Sequence, residues 1–385
     1  MKILIATPIY PPEIGGPATY VKELCEKLHK KYDITIVAYT DVRNPFPGTR
    51  LVSVSKRRPL PVRLSKFFLA ILKESKDIDL IYVQNAMAAG LPVALASIIR
   101  RKPFILKFVG DEAWERATQL RKTDKKLEEF LQSPEGGLRV KMMMWIQGFV
   151  LRRASIVTTP SAYLKDEIIK TYKINPKIAL VNYNASEEPH ILPFEITRKK
   201  HRIATTARLV AWKGIAGIIR ALSLVIKNYP DAELVVAGDG PEMENLKELV
   251  KKLDLDKSVK FLGNISRAET WQLRKSSDVY VLNSTYEGLP HTVLTCFAAG
   301  IPTIATNISG TNEAVYHGKT GLLINPGDDI ELAHSIEKLF EDKKLGNLLV
   351  EGGYKILKEK FSWESHLKNL DSIFQSMLPE PRNKV

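Results

Sequence analysis

The chain has 385 residues, which at roughly 150 residues per domain points to two domains, with a third not ruled out. Its 44% hydrophobic and 26% charged residues are those of an ordinary globular protein and exclude a disordered or fibrous one. A net charge of +14 admits nucleic acid, anionic lipid or a phosphorylated small molecule as partner without choosing among them.

The first run, KILIA (2–6), reads as a buried strand, since the apolar stretch ahead of the first Thr-Pro is too short for the core of a signal peptide. Further strands are expected at 33–39, 80–84, 104–109 and 155–159, with helices at 17–31, 61–76, 88–101 and 161–173 between them. In the helix near 61–76, Leu64, Phe68, Ile71 and Leu72 fall on one face, widened by Phe67 and flanked by cations. That face suits either the first sheet or an anionic leaflet. The charged and then apolar segment 111–153 interrupts the pattern, and its Met142–Trp145 run reads as core. A polar, aperiodic stretch at 182–200 marks a break. Beyond it the plan repeats, with strands at 201–207, 232–238, 259–263, 279–283, 302–306 and 321–325 and helices near 213–228, 241–253, 267–275, 290–299 and 329–342.

Strand–helix alternation in both halves predicts an α/β protein of two Rossmann-like, doubly wound parallel-sheet domains. The boundaries expected are 1–185 and 186–361, with a C-terminal helix in 362–385 crossing back onto the first domain. Sites in such sheets form outside the carboxyl ends of strands, so a cleft between facing halves is the default location. Cys25 and Cys296 sit in apolar helix faces and read as reduced core residues of a cytoplasmic protein. No Cys/His cluster has zinc spacing, and no apolar run approaches the ~20 residues that span a bilayer.

The loops after the strands carry the chemistry. Gly15 and Gly16 precede a helix opened by Pro17, where exposed N–H groups favour an anion. Arg208 follows the strand at 201–207 and Lys213 stands at the start of the next helix, a pair suited to a diphosphate. Gly238 begins a tight glycine turn that is not a P-loop. In STYEGLP the carboxylate of Glu287 precedes a helix start framed by Pro290, Gly300 and Pro302. A carboxylate there suits the hydroxyls of a neutral polyol. His291 and Thr295 share one face of that helix.

The segments ARLVAWKGI, VVAGDGP, VKFLGNIS, SSDVYVLNSTYEGLPHTVL, AAGIPTIATNISGTNE and GKTGLLINPGD, in this order over about 200–330, resemble the nucleotide-binding domain of the family-four retaining glycosyltransferases, which have the GT-B architecture. The first loop and helix, IYPPEIGGPATYVKEL, and the C-terminal tail are also similar to that family. The resemblance implies that Arg208 and Lys213 grip the donor's diphosphate, that Gly16 offers its N–H to phosphate or sugar, and that backbone around Asn264 meets the base. It implies that Glu287 reads sugar hydroxyls and that the turn Gly288, Leu289, Pro290, His291 and Thr292 offers N–H groups to the phosphates. Two departures stand out. The family's second motif glutamate, which holds the ribose, falls on Thr295, and the residues where many members carry a histidine are Val109-Gly110, followed by Asp111, which could take a related polar role.

The expectation is therefore a metal-independent, hexosyl-type transferase without a cofactor. Its partners would be a nucleotide diphosphate sugar and a glycan or lipid-linked acceptor, with an anionic membrane surface at the inner face of the cell membrane left open. The competing reading is a degenerate nucleotide-sugar-binding protein without transfer activity, which Thr295 favours. Nucleic acid is not expected, because no recognised module accompanies the charge.

Overall fold

The computed structural model describes residues 1–13, 15–186 and 198–377. Residues 187–197 of the expected break at 182–200, and the last residues of the expected C-terminal helix, lie outside them. The chain divides into two compact units, one of residues 1–182 together with those from 368 onward, the other of residues 183–367.

The first unit opens with β1 (Lys2–Thr7), α1 (Gly16–Leu28), β2 (Asp33–Tyr39), β3 (Thr49–Val54), α2 (Leu60–Glu74), β4 (Leu80–Gln84), α3 (Gly90–Arg100) and β5 (Phe104–Lys107). It continues with α4 (Glu112–Gln119), α5 (Leu127–Gln132), α6 (Gly137–Arg153), β6 (Ile156–Thr159), α7 (Ala162–Tyr172) and β7 (Ala179–Val181). Among the described residues the sheet has seven strands in the order β3-β2-β1-β4-β5-β6-β7, all pairs parallel. Alternation along the strands divides the side chains between two faces. Leu4, Val37, Ile81, Val83 and Leu106 join one core with Phe67 and Ile71 of α2, Val93 of α3 and Val150 and Leu151 of α6. From the opposite face Tyr82 meets the ring of Tyr20 in α1.

The second unit runs β8 (Arg202–Thr206), α8 (Ile215–Val225), β9 (Glu233–Ala237), α9 (Met243–Lys252), β10 (Val259–Phe261), α10 (Arg267–Lys275), β11 (Val279–Leu282), α11 (His291–Ala299), β12 (Thr303–Thr306), β13 (Leu322–Ile324), α12 (Asp329–Glu341) and α13 (Lys343–Lys360). The last helix, α14 (Trp363–Gln375), begins here and ends in the first unit, where Phe374 also packs on Tyr82. Among the described residues its sheet has six parallel strands in the order β10-β9-β8-β11-β12-β13. Ile203, Leu234, Val279 and Ile304 face one core, while Ala204, Val235, Tyr280 and Ala305 face the other. Each sheet is thus buried on both sides, which is why its inner strands read as unbroken apolar runs.

One open alternative is decided here and one expectation is corrected. Phe67 and Ile71 are fully buried and Leu64, Phe68 and Leu72 partly so. The apolar face of α2 therefore serves the core and is not available to a leaflet. The Met142–Trp145 run, expected in the core, is divided: Met144 packs against the core, while Met142 and Trp145 are 54% and 65% exposed, because α6 packs chiefly through Val140, Gln147, Gly148, Val150 and Leu151. Cys25 and Cys296 are free and buried as expected, and burial pushes both thiols up to about 12. Among the described residues no helix is long and apolar enough to cross a membrane.

Candidate functional site

The candidate site of the second unit is built at the carboxyl ends of its central strands. Past β8 the chain is laced to the loop after β9 by Ala207 N to Ala237 O (3.0 Å) and Leu209 N to Asp239 O (2.9 Å). The approach is close enough that a Cβ on Gly238, at φ 129°, would lie 1.9 Å from the Ala207 carbonyl oxygen, so only glycine fits. Gly238 N also donates to Gly263 O at 2.7 Å, which brings the third loop alongside. Arg208, Asp239, Gly240 and Asn264 then line one open cavity of about 410 Å³ with Ala207. Arg208 is exposed there.

Lys213 lies in a single 3-10 turn, Ala211–Lys213, that ends on Gly214 at φ 64°. Thr285 N donates to Trp212 O (2.8 Å) and Asn283 Nδ2 to Gly214 O (3.0 Å), pinning this turn to the loop after β11. Lys213 Nζ consequently reaches Glu287 Oε1 at 2.6 Å, with the two side chains 22% and 12% exposed. Ser284 Oγ donates to the same oxygen at 2.7 Å. Two residues 74 apart in sequence thus form one ion pair.

The following residues turn the chain into α11. Gly288 precedes the buried Leu289 and Pro290, while His291 is exposed and Thr292 half-buried. Pro290 at the N-cap offers no side-chain cap, and the first turn of α11 has no acidic residue. Both features leave this helix start suited to an anion. Thr295 is only 6% exposed and its hydroxyl donates to Thr292 O at 2.8 Å. It therefore does not share the exposure of His291, and its proton is committed within the helix.

In the first unit Gly15 is the N-cap of α1 and Gly16 its first residue. Gly16 is exposed, and nothing lies within 4 Å of where its Cβ would be. Asp111 does not act as expected. It is 1% exposed and caps α4 through Trp114 N (2.9 Å), and it accepts from Gln147 Nε2 (3.2 Å) and from the Tyr172 hydroxyl. Burial pushes its carboxyl above the usual carboxylate range, and those donors offset this only in part. All of these contacts are internal, so its place in the structure is that of a fastener for the turn after β5.

Sequence reasoning missed several groups. Ser284 orients Glu287, and Asp239 lines the cavity. In the first unit Lys107 is 5% exposed at the end of β5, its ammonium 4.3 Å from the Tyr20 ring centre, and burial lowers its pKa to about 7. Glu112, accepting from Met87 N at 3.2 Å, is pushed up to about 7 by burial. The lysine inside the apolar run FILKFV was the available signal for the first of these. Among the described residues no three His, Cys, Asp or Glu side chains are grouped to hold a metal.

The chain matches two family models, Glycosyl transferases group 1 over residues 188–356 and Glycosyltransferase Family 4 over residues 14–185. It is 24% identical over 402 residues to the N-acetyl-alpha-D-glucosaminyl L-malate synthase of Bacillus anthracis, covering 100% of this chain and 99% of that one. It is 36% identical over 155 residues to the lipopolysaccharide core biosynthesis glycosyltransferase LpsD of Rhizobium meliloti, covering 40% of this chain and 43% of the other. The solved structure of Anabaena HepE in complex with UDP and glucose superposes with a TM-score of 0.77 at 20% identity, covering 98% of this chain and 100% of that one. A HepE complex with UDP-glucose gives the same score.

Proposed function

We propose that this chain, which belongs to the group 1 glycosyltransferases and has their GT-B fold of two Rossmann-like units, moves a sugar from a nucleotide diphosphate sugar to a hydroxyl acceptor with retention of configuration. The observation that carries the reading is the fastening of Lys213 to Glu287 at one set of strand ends, with Arg208, the Gly238 turn and Asn264 gathered around the neighbouring cavity. Cations for a diphosphate and a carboxylate for sugar hydroxyls are the two chemistries such a donor demands. HepE, a relative in fold, binds UDP and UDP-glucose, which favours a donor of this class.

In the proposed reaction the acceptor oxygen bonds to the anomeric carbon on the face from which the diphosphate leaves. The bond from that carbon to the phosphate oxygen breaks, and the acceptor proton passes to the departing phosphate. Arg208, Lys213 and the N-terminus of α11 stabilise the charge that develops on the leaving group, so we assign that task to side chains and backbone instead of a metal. Glu287 holds the sugar in place. The N–H of Gly16, at the open start of α1, is assigned to a phosphate or sugar oxygen. A lipid-linked or cell-envelope acceptor, met at the inner face of the cell membrane, agrees with the basic character of the chain and with its two free, buried cysteines.

The engagement of Thr295 within its own helix favours a second reading, a sugar-nucleotide binder without transfer activity. A thermal-shift panel of nucleoside diphosphates and their sugar conjugates tests the donor site, since a ligand at 100 times its Kd adds ~2.7 kcal/mol of stability. No stabilisation by any nucleotide would overturn both readings. Stabilisation without donor consumption, across a range of hydroxyl acceptors, would leave the second.

A further inference from the structure

Helices α2, α3 and α6 cover one face of the first sheet, and their outer sides are unusual. Together they hold 43 residues, yet nine of the seventeen large apolar side chains exposed among the described residues lie on them. Leu69, Ile98, Ile99, Met142 and Trp145 are each about half exposed or more. The same three helices carry eight Lys and Arg against one acid, Glu74, which is paired with Arg50. On α2 the buried pair Phe67 and Ile71 faces inward, while Val62, Lys66, Leu69 and Lys73 recur at i, i+4, i+7 and i+11 on the opposite side, all exposed. Cation and hydrocarbon therefore alternate along one outward stripe.

Beside that stripe is an open cavity of about 610 Å³ between the edge strand β3 and α2. Val52, Val54 and Ala70 form its apolar lining, and Arg57, Arg58 and Lys66 bring cations to it. Arg57 stands 3.4 Å from Asp41, both well exposed, so this contact only partly offsets its charge.

From these observations we infer that the outer wall of α2, α3 and α6 docks on an anionic membrane, with a phospholipid phosphate seated in the cavity by Arg57, Arg58 and Lys66. The inference deepens the lipid-linked acceptor reading by naming the surface that meets the bilayer. A soluble phosphate would use the cations but leave the apolar side chains without a partner. A second copy of the chain would bring eight cations against eight. A leaflet of anionic lipid satisfies both halves of the pattern, and an exposed tryptophan is at home at its interface.

The test is flotation of the full chain with vesicles of phosphatidylcholine alone and of phosphatidylcholine with phosphatidylglycerol, over a salt series, with glycerol 3-phosphate as soluble competitor. Binding is expected only with the anionic lipid and is expected to weaken with salt. Each cation near such a surface contributes roughly a factor of five. The combined Arg57→Gln, Arg58→Gln, Lys66→Gln variant should therefore bind ~100-fold more weakly. The Leu69→Ser, Ile99→Ser, Trp145→Ser variant should also lose binding. Both sets are surface changes, so thermal stabilisation by the donor nucleotide should be unchanged in either. That readout separates a failure here from a failure of the proposed transfer. The inference is overturned by absent vesicle binding at low salt, by binding indifferent to both variants, by displacement with glycerol 3-phosphate alone, by dimerisation through this wall, or by tighter binding to duplex DNA than to vesicles.

Discussion

Replacing Glu287 with Gln should separate donor affinity from turnover. Lys213 Nζ sits 2.6 Å from the Glu287 carboxylate, and neither side chain is more than 22% exposed. In the proposed donor site a nucleotide would share Lys213 with the carboxylate already beside it. A hydrogen bond to a charged group contributes about 1.5–3 kcal/mol, but the ammonium has three donors and need not release Glu287 completely. Taking about 1 kcal/mol as the competing part, Glu287→Gln should tighten binding of the nucleoside diphosphate, which has no sugar to lose, by ~5-fold. Turnover should move the other way. Loss of the charged acceptor for sugar hydroxyls, at about 1.5–3 kcal/mol, lowers it by ~10- to 100-fold. Calorimetric titration of the nucleoside diphosphate and initial rates with the sugar conjugate give the two numbers on one preparation. A nucleotide affinity that falls tenfold, or a turnover that does not change, would refute the reasoning.

Arg208→Ala should lower turnover more than tenfold with the thermal midpoint unchanged, because Arg208 is exposed in the cavity; equal rates in a folded variant would remove it from the phosphate grip. Thr295→Glu should tighten nucleoside diphosphate binding by roughly tenfold if this position faces the ribose, and a folded variant with no such gain would show that it does not. Glu233 is 4% exposed, and although burial raises its pKa, hydrogen bonds from Lys199, Arg202 and Lys260 bring it down to about 2. Its stabilisation, on the order of 1–2 kcal/mol once solvent screening at the half-exposed Lys199 and Lys260 is counted, is present above the unfolded-state value and lost as pH falls from about 4.5 towards 2, so Glu233→Gln should be less stable than wild type at neutral pH, with the gap closing in acid. Denaturant titrations at a series of pH values check this, and a constant gap would contradict it. Tyr172→Phe should cost about 1–3 kcal/mol of stability by removing a donor from the buried Asp111, measured by urea unfolding; no loss would mean that water replaces the hydroxyl.

The inner strands were legible because they are buried on both faces and so read as plain apolar runs. The edge strand Thr49–Val54 was not, since half-exposed residues such as Arg50 and Ser53 break the run, and Ala179–Val181 is too short to stand out. The helices within 111–153 were hidden by their chemistry. Asp111, expected in a polar role at the site, and Gln147 form a buried network whose partner Tyr172 lies on another helix. For α2 the period was right and the partner of its apolar face was left open, because the same spacing serves a core or a leaflet and only the packing of Phe67 and Ile71 distinguishes them. In the candidate site the glycines, prolines and charges at strand ends were readable one by one. The ion pair between Lys213 and Glu287 was not, because it depends on Asn283 and Thr285 drawing two distant loops together.

The way those loops are held has a bearing on how the molecule can diverge. Gly238 against Ala207, and the turn of Trp212 and Gly214 against Thr285 and Asn283, are joined mainly by main-chain atoms. Such joints do not depend on which side chains the neighbouring positions carry. Exposed or half-exposed residues such as Thr285, Tyr286 and His291 can therefore change identity while the loops keep their shape. A lineage, or a laboratory library randomised at those three positions, can explore new sugars on a frame whose geometry is insulated from the search.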